Sequence, residues 1–171
     1  MLGGAGLAET GVSSLGVSRD HIDVLAKVHL FAGLAPEALE AIASITTEES
    51  HPLGALIFAH GDPGDRFFLI LEGKVRISRN VPGMGEEALA VLGRGEVFGE
   101  MCLFDEAPRS ADARVHERCR LLNVSRDRFA DLLFLRMDLA HDVLWNAVRI
   151  LSKRLRETSD KLTFLSISSK F

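Results

Sequence analysis

Glu100 and Arg109 stand nine positions apart in one stretch, Gly95 to Val115, that reads Gly-Glu-Val-Phe-Gly-Glu-Met-Cys-Leu-Phe-Asp-Glu-Ala-Pro-Arg-Ser-Ala-Asp-Ala-Arg-Val. Phe98-Gly99-Glu100 reads as the end of a strand, and Met101 to Phe104 as about one turn of helix. The amides that open such a turn have no partner within it and can donate to an anion. Arg109, after Pro108, adds a planar guanidinium that takes two oxygens of one phosphate. A carboxylate beside an anion is costly, so Glu100 suits a sugar hydroxyl instead. Together they fit a cyclic phosphate and its ribose. Taken without their context, the same two residues would be a surface ion pair across a turn.

Three kinds of sequence surround this loop. Ser18 can cap a short helix, and Ala35-Pro36-Glu37 opens another, in which Leu39, Ile42 and Ile45 repeat at helical spacing. From about Glu48 to Val124 the period changes. Short apolar runs, Leu56-Ile57-Phe58, Phe67 to Leu71 and Val75-Arg76-Ile77, alternate with Gly-rich turns, the pattern of an antiparallel jelly-roll barrel. Gly61 to Asp65 reads as a hairpin turn, and Val81 to Gly85 as a second. Helical period returns at Ser125, which can cap a helix carrying Phe129, Leu132 and Leu133, and Asp138 can cap a longer one. The expected fold is α+β, mainly β: a jelly roll with N-terminal helices and a long C-terminal helix. The boundaries read as a flexible tail over 1–18, a jelly-roll domain over 19–137 and the final helix over 138–171.

In that last helix Leu144, Val148, Leu151, Leu155, Thr158, Leu162 and Leu165 recur at alternating spacings of four and three. This is a heptad seam, and it predicts a homodimer through residues 144–165. The alternative is that the stripe packs against the barrel. Thr158 is the seam's polar member.

Composition narrows the function classes. A chain of 171 residues with 47% hydrophobic content can bury a core. A net charge of −4 gives no general attraction to nucleic acid. Two cysteines, Cys102 and Cys119, make neither a disulfide framework nor a cluster ligand set, so a reducing cytoplasm fits. The six histidines form no close pair, and no metal site or cofactor is expected. No nucleophile sits beside a base, so the chain is not read as an enzyme. No apolar run reaches the roughly 20 residues a membrane span needs, and the tail resembles neither a signal peptide nor a basic anchor.

Phe98-Gly99-Glu100 followed by Pro108-Arg109-Ser110-Ala111 resembles the phosphate-binding cassette of cyclic nucleotide-binding domains, such as those of the catabolite activator protein and of protein kinase A regulatory subunits. Phe31-Ala32-Gly33-Leu34, Gly61 to Asp65 and Phe68 to Val75 follow the family's order, so the likeness runs from about Ile22 to Leu165. It implies that Glu100 binds the ribose 2′-hydroxyl and Arg109 the cyclic phosphate. Ser110 and the amides near Met101 and Ala111 would add phosphate contacts, and Gly99 would admit close backbone approach. Ile77, Leu89 and Leu92 fall where relatives line the sugar and base pocket, or are simply core. Thr158-Ser159 matches the pair that reaches adenine from the dimer helix, which favours cyclic AMP, with cyclic GMP as the other candidate.

Two positions depart from the family. Asp112 stands where many members carry Thr, and its charge could repel the phosphate unless it points outward or pairs with Arg114. Ala90 lies where some relatives place a hydroxyl near the base. The family's DNA-reading domain has no counterpart before Phe171, so this chain alone is not expected to bind nucleic acid. A sensor acting on an undetermined downstream protein, the sensor part of a transcription regulator, and a dimerisation scaffold with a degenerate pocket all remain open.

Overall fold

The computed structural model describes residues 12–13, 18–105 and 107–168. Within the expected tail, Val12–Ser13 form a strand, β1, and residues 1–11 and 14–17 lie outside the described residues. The side chains of Leu162 and Leu165, at the end of the seam, also lie outside them.

Helix α1 (Arg19–Leu25) begins where Ser18 accepts a hydrogen bond from the Asp20 amide at 3.3 Å. A 3₁₀ turn over His29–Phe31 leads to α2 (Pro36–Ser44), with Pro36 in the first turn where its missing donor costs nothing. The strands follow as β2 (Thr46–His51), β3 (Leu56–Phe58), β4 (Arg66–Val81), β5 (Gly85–Leu92), β6 (Val97–Phe98) and β7 (Asp112–Ser125). A second 3₁₀ turn, Glu100–Leu103, separates β6 from β7. Helices α3 (Arg126–Leu135) and α4 (Met137–Ser168) complete the chain.

The strands form one antiparallel sheet in the order β1-β2-β7-β4-β5, with β3 added to β7 and β6 to β4. This is the expected α+β, jelly-roll-like arrangement. The Val81–Gly85 segment is the expected hairpin, closed by the Met84 amide donating to the Val81 carbonyl at 3.0 Å. Gly61 to Asp65 is not a hairpin. Strand β3 pairs with β7 and not with β4, so residues 59–65 carry the chain between two strands that both lie against β7. Turn-forming residues permit either geometry, and the pairing partner decides between them.

Both faces of the long strands are buried, which explains the unbroken apolar run at residues 67–71. Phe67, Leu69 and Leu71 face the helices with Leu122, Val124 and Phe129, whereas Phe68 and Ile70 face the interior with Val75, Phe98, Val115 and Leu121. Phe31, Phe67 and Phe129 knit the helical side together, with ring centroids 5.6 to 6.4 Å apart. Each fully buried ring of this kind stabilises the fold by roughly 1.5–3 kcal/mol.

Two expected caps differ. Ser125 occupies the cap position of α3 but makes no side-chain cap bond. Asp138 lies inside the first turn of α4, where Arg136 grips its carboxylate at 2.9 Å and holds its pKa down to about 2.

Candidate functional site

The loop between β6 and β7 closes one end of the interior face. Gly99 adopts φ +70°, a left-handed conformation that side chains resist. A Cβ there would lie 2.7 Å from Arg109 Nη1. Both constraints select glycine, so its first task is to make room for Arg109. The 3₁₀ turn then presents Glu100 and Met101 to a cavity of about 320 Å³ that Pro108 to Ala111 also line.

Arg109 is 6% exposed, which for a permanent cation demands compensation. Its Nη1 donates to the Gly99 carbonyl at 3.1 Å and its Nη2 to the Arg66 carbonyl at 2.7 Å. Asp65 Oδ1 lies 3.7 Å from Nη2, and the guanidinium carbon sits 4.2 Å above the centre of the Phe58 ring. Phe58 is itself fixed against Phe68 and Phe98, the last two stacked at 5.1 Å. The Arg109 Nε is buried without a hydrogen-bond partner among the described residues. A guanidinium held by two carbonyls and the nearby Asp65 carboxylate still keeps one buried donor that an anion can engage.

Neighbouring groups respond to this cation. The Asp65 carboxyl is held below the usual carboxylate range, chiefly by its hydrogen bond from Arg66 and also by Arg109. Burial pushes the Cys102 thiol up, against the pull of Arg109.

Of the residues expected at the site, Gly99, Glu100, Met101, Arg109, Ser110, Ala111, Ile77 and Leu92 line this cavity, and so does Ala90. Leu89 does not. Ile77 pairs with Ala90 and Ser78 with Ala88, which leaves Leu89 as the extra residue of a bulge, 60% exposed. Thr158 and Ser159 are exposed on α4 and are not among the residues lining the cavity. A second cavity of about 510 Å³ shares Leu92, Val97, Glu100 and Met101 with the first. Helix α4 forms its far wall through Ala147, Ile150, Leu151, Lys153 and Glu157.

Asp112 neither points away unpaired nor joins Arg114. Its Oδ1 accepts the His60 amide at 2.7 Å. Sequence reasoning also missed Phe58, Asp65 and the Arg66 carbonyl, which lie 43 or more positions before Arg109.

The model of the cyclic nucleotide-binding domain matches residues 48–135, from within β2 through the cavity to the end of α3. The chain belongs to this family. Among relatives, this cyclic nucleotide-binding domain is 33% identical over 143 residues to the CRP-like cAMP-activated global transcriptional regulator of Mycobacterium tuberculosis, covering 84% of the chain and 62% of that protein. It is 41% identical over 137 residues to the cyclic AMP receptor protein of Thermus thermophilus, covering 80% of the chain and 62% of that protein. The chain therefore spans less than two thirds of the length of these relatives. The crystal structure of the Thermus thermophilus catabolite activator protein superposes with a TM-score of 0.72 at 41% identity, covering 81% of this chain and 63% of that one. Among the described residues, no helix is long and apolar enough to cross a membrane.

Proposed function

We propose that this domain senses cyclic AMP and acts as a homodimeric, cytoplasmic regulatory module. The observation that carries the reading is the buried, aromatic-backed Arg109 with an unpartnered Nε, on a cavity that Glu100 also lines. Arg109 takes the cyclic phosphate, with Ser110 and the amides near Met101 and Ala111 assisting, and Glu100 takes the ribose hydroxyl. Ile77, Ala90 and Leu92 cover the apolar faces of sugar and base. The resemblance of Thr158-Ser159 to the adenine-reading pair, and the names of the relatives, favour adenine over guanine.

The exposed stripe on α4 supports the dimer. Leu144, Val148, Leu151 and Leu155 are between 49% and 69% exposed, so the sheet of one chain does not cover them. Because α4 walls the second cavity opposite Glu100 and Met101, a ligand preferring the cassette close to α4 shifts the helix by its differential affinity for the two arrangements. In a protein as long as its relatives this movement reaches further domains and, through them, a downstream partner.

Thermal unfolding with cyclic AMP, cyclic GMP and linear AMP tests the reading. Cyclic AMP should raise the melting temperature most and AMP least. An AMP effect equal to that of cyclic AMP removes the cyclic ester from the account, and no effect of any nucleotide removes the sensor.

A further inference from the structure

Asp112 is the residue at which this chain departs from its family's cassette, and its charge next to a phosphate site looks unfavourable. Its contacts point elsewhere. The segment 59–66, which carries the chain from β3 to β4, is tied down at several points. The Ala59 amide donates to Asp62 Oδ2 at 2.8 Å and the His60 amide to Asp112 Oδ1 at 2.7 Å. The Gly61 amide donates to the Arg109 carbonyl at 2.9 Å, and the Arg109 amide returns a bond to the Asp62 carbonyl at 2.9 Å. The same segment ends in the Arg66 carbonyl and the Asp65 carboxylate that flank the Arg109 guanidinium. One loop thus holds the arginine by its backbone and by its head.

We infer that Asp112 is a positioning residue for the anion site: by pinning the His60 amide it fixes the 59–66 loop, and the loop aims Arg109. The inference rests on the cyclic nucleotide reading above. A loop stabilised by turns alone samples several conformations, so a charge-assisted bond spanning 52 positions of chain restricts it strongly. Without that bond the Gly61 amide and the Asp62 carbonyl, which hold the Arg109 backbone, move with the loop, while the Arg66 carbonyl stays in β4. The carboxylate is itself committed to a backbone donor, which limits its repulsion of a bound phosphate.

Calorimetric titration with cyclic AMP separates a clamp from a repelling charge. Asp112→Asn keeps an oxygen that can accept from His60 and removes the charge; Asp112→Ala removes both. The clamp predicts about tenfold weaker binding for Asp112→Ala and binding equal to or tighter than wild type for Asp112→Asn. His60→Pro, which deletes the donor and leaves Asp112 in place, should weaken binding as Asp112→Ala does. It also serves should the alanine variant fail to fold. On an Arg109→Ala background, Asp112→Ala should add nothing. Wild-type affinity in both Asp112→Ala and His60→Pro overturns the clamp while leaving the sensor reading intact, as does an Asn variant as weak as the Ala variant. A wild-type protein that takes up no cyclic AMP overturns the sensor reading, and the clamp falls with it.

Discussion

Arg109 is 6% exposed, with carbonyls on two sides and a phenyl ring beneath it, whereas Val148 and Leu155 on α4 stand 51% and 69% exposed. The proposed anion site is therefore finished inside one chain. The helix that would report on it is not. Its apolar stripe has no cover from its own sheet, and burying such residues is worth roughly 25 cal/mol for each Å² removed from water. On the proposed reading the contrast separates two tasks: the protomer would recognise phosphate by itself, and transmission would require whatever covers α4.

Removal of Arg109 should give the largest effect. Arg109→Ala deletes charge-assisted donors from a dry site, so cyclic AMP binding should fall ~100-fold or more while circular dichroism stays that of the parent. Binding within a few fold of wild type would mean that the cavity takes its anion elsewhere. Val148→Glu attacks the other side of the comparison. It lines neither of the two cavities, so it should weaken self-association roughly 30-fold in sedimentation while leaving protomer binding in place. A variant that still sediments as a dimer would move the interface off the seam.

Gly99→Ala should come next. The methyl group must share space with Arg109 Nη1, and a left-handed backbone is strained by any side chain, together costing about 1–2 kcal/mol. Binding should drop severalfold more than stability alone accounts for, because the displaced group is the proposed anion ligand. Equal affinity would show that Arg109 tolerates displacement, against the clamp as well.

How legible each region was follows from the sequence distance of its contacts. Gly99, Glu100 and Arg109 lie within one loop, so their types and spacing could be read directly, as could the α4 repeat. The brace around Arg109 could not, because Phe58, Asp65 and Arg66 arrive from a segment far back in the chain. Gly61 to Asp65 has the residues of a hairpin, but the strand before it pairs with β7, a choice made by pairing 55 to 58 positions later that no turn residue encodes. Leu89 lies one position from Ala90 and two from Val91, so the strand's period of two already turns it to the outer face, 60% exposed beside Val91 at 49%. Thr158 and Ser159 sit on the half of α4 that one chain leaves exposed, so the residues facing them depend on what covers the helix.

The smallest expected effect lies in a region serving neither task. Glu48 accepts a bond from Arg120 at 2.8 Å and pairs with His21 at 3.0 Å, tying α1 to β2 and β7. The Arg120 hydrogen bond leads the lowering of its pKa below the usual 4.5, with His21 helping and burial opposing. A carboxyl whose pKa is depressed in the folded state contributes stability above its unfolded value. That contribution fades as pH falls below 4.5 through the folded value. Glu48→Gln should therefore lower stability by about 1 kcal/mol at neutral pH, with the deficit closing as pH drops below 4.5. Cyclic AMP affinity at neutral pH should not change, since this cluster touches neither Arg109 nor α4. A deficit that stays constant into acid would assign the loss to packing of the Glu48 side chain, and an altered affinity would tie the α1 edge of the sheet to the anion site.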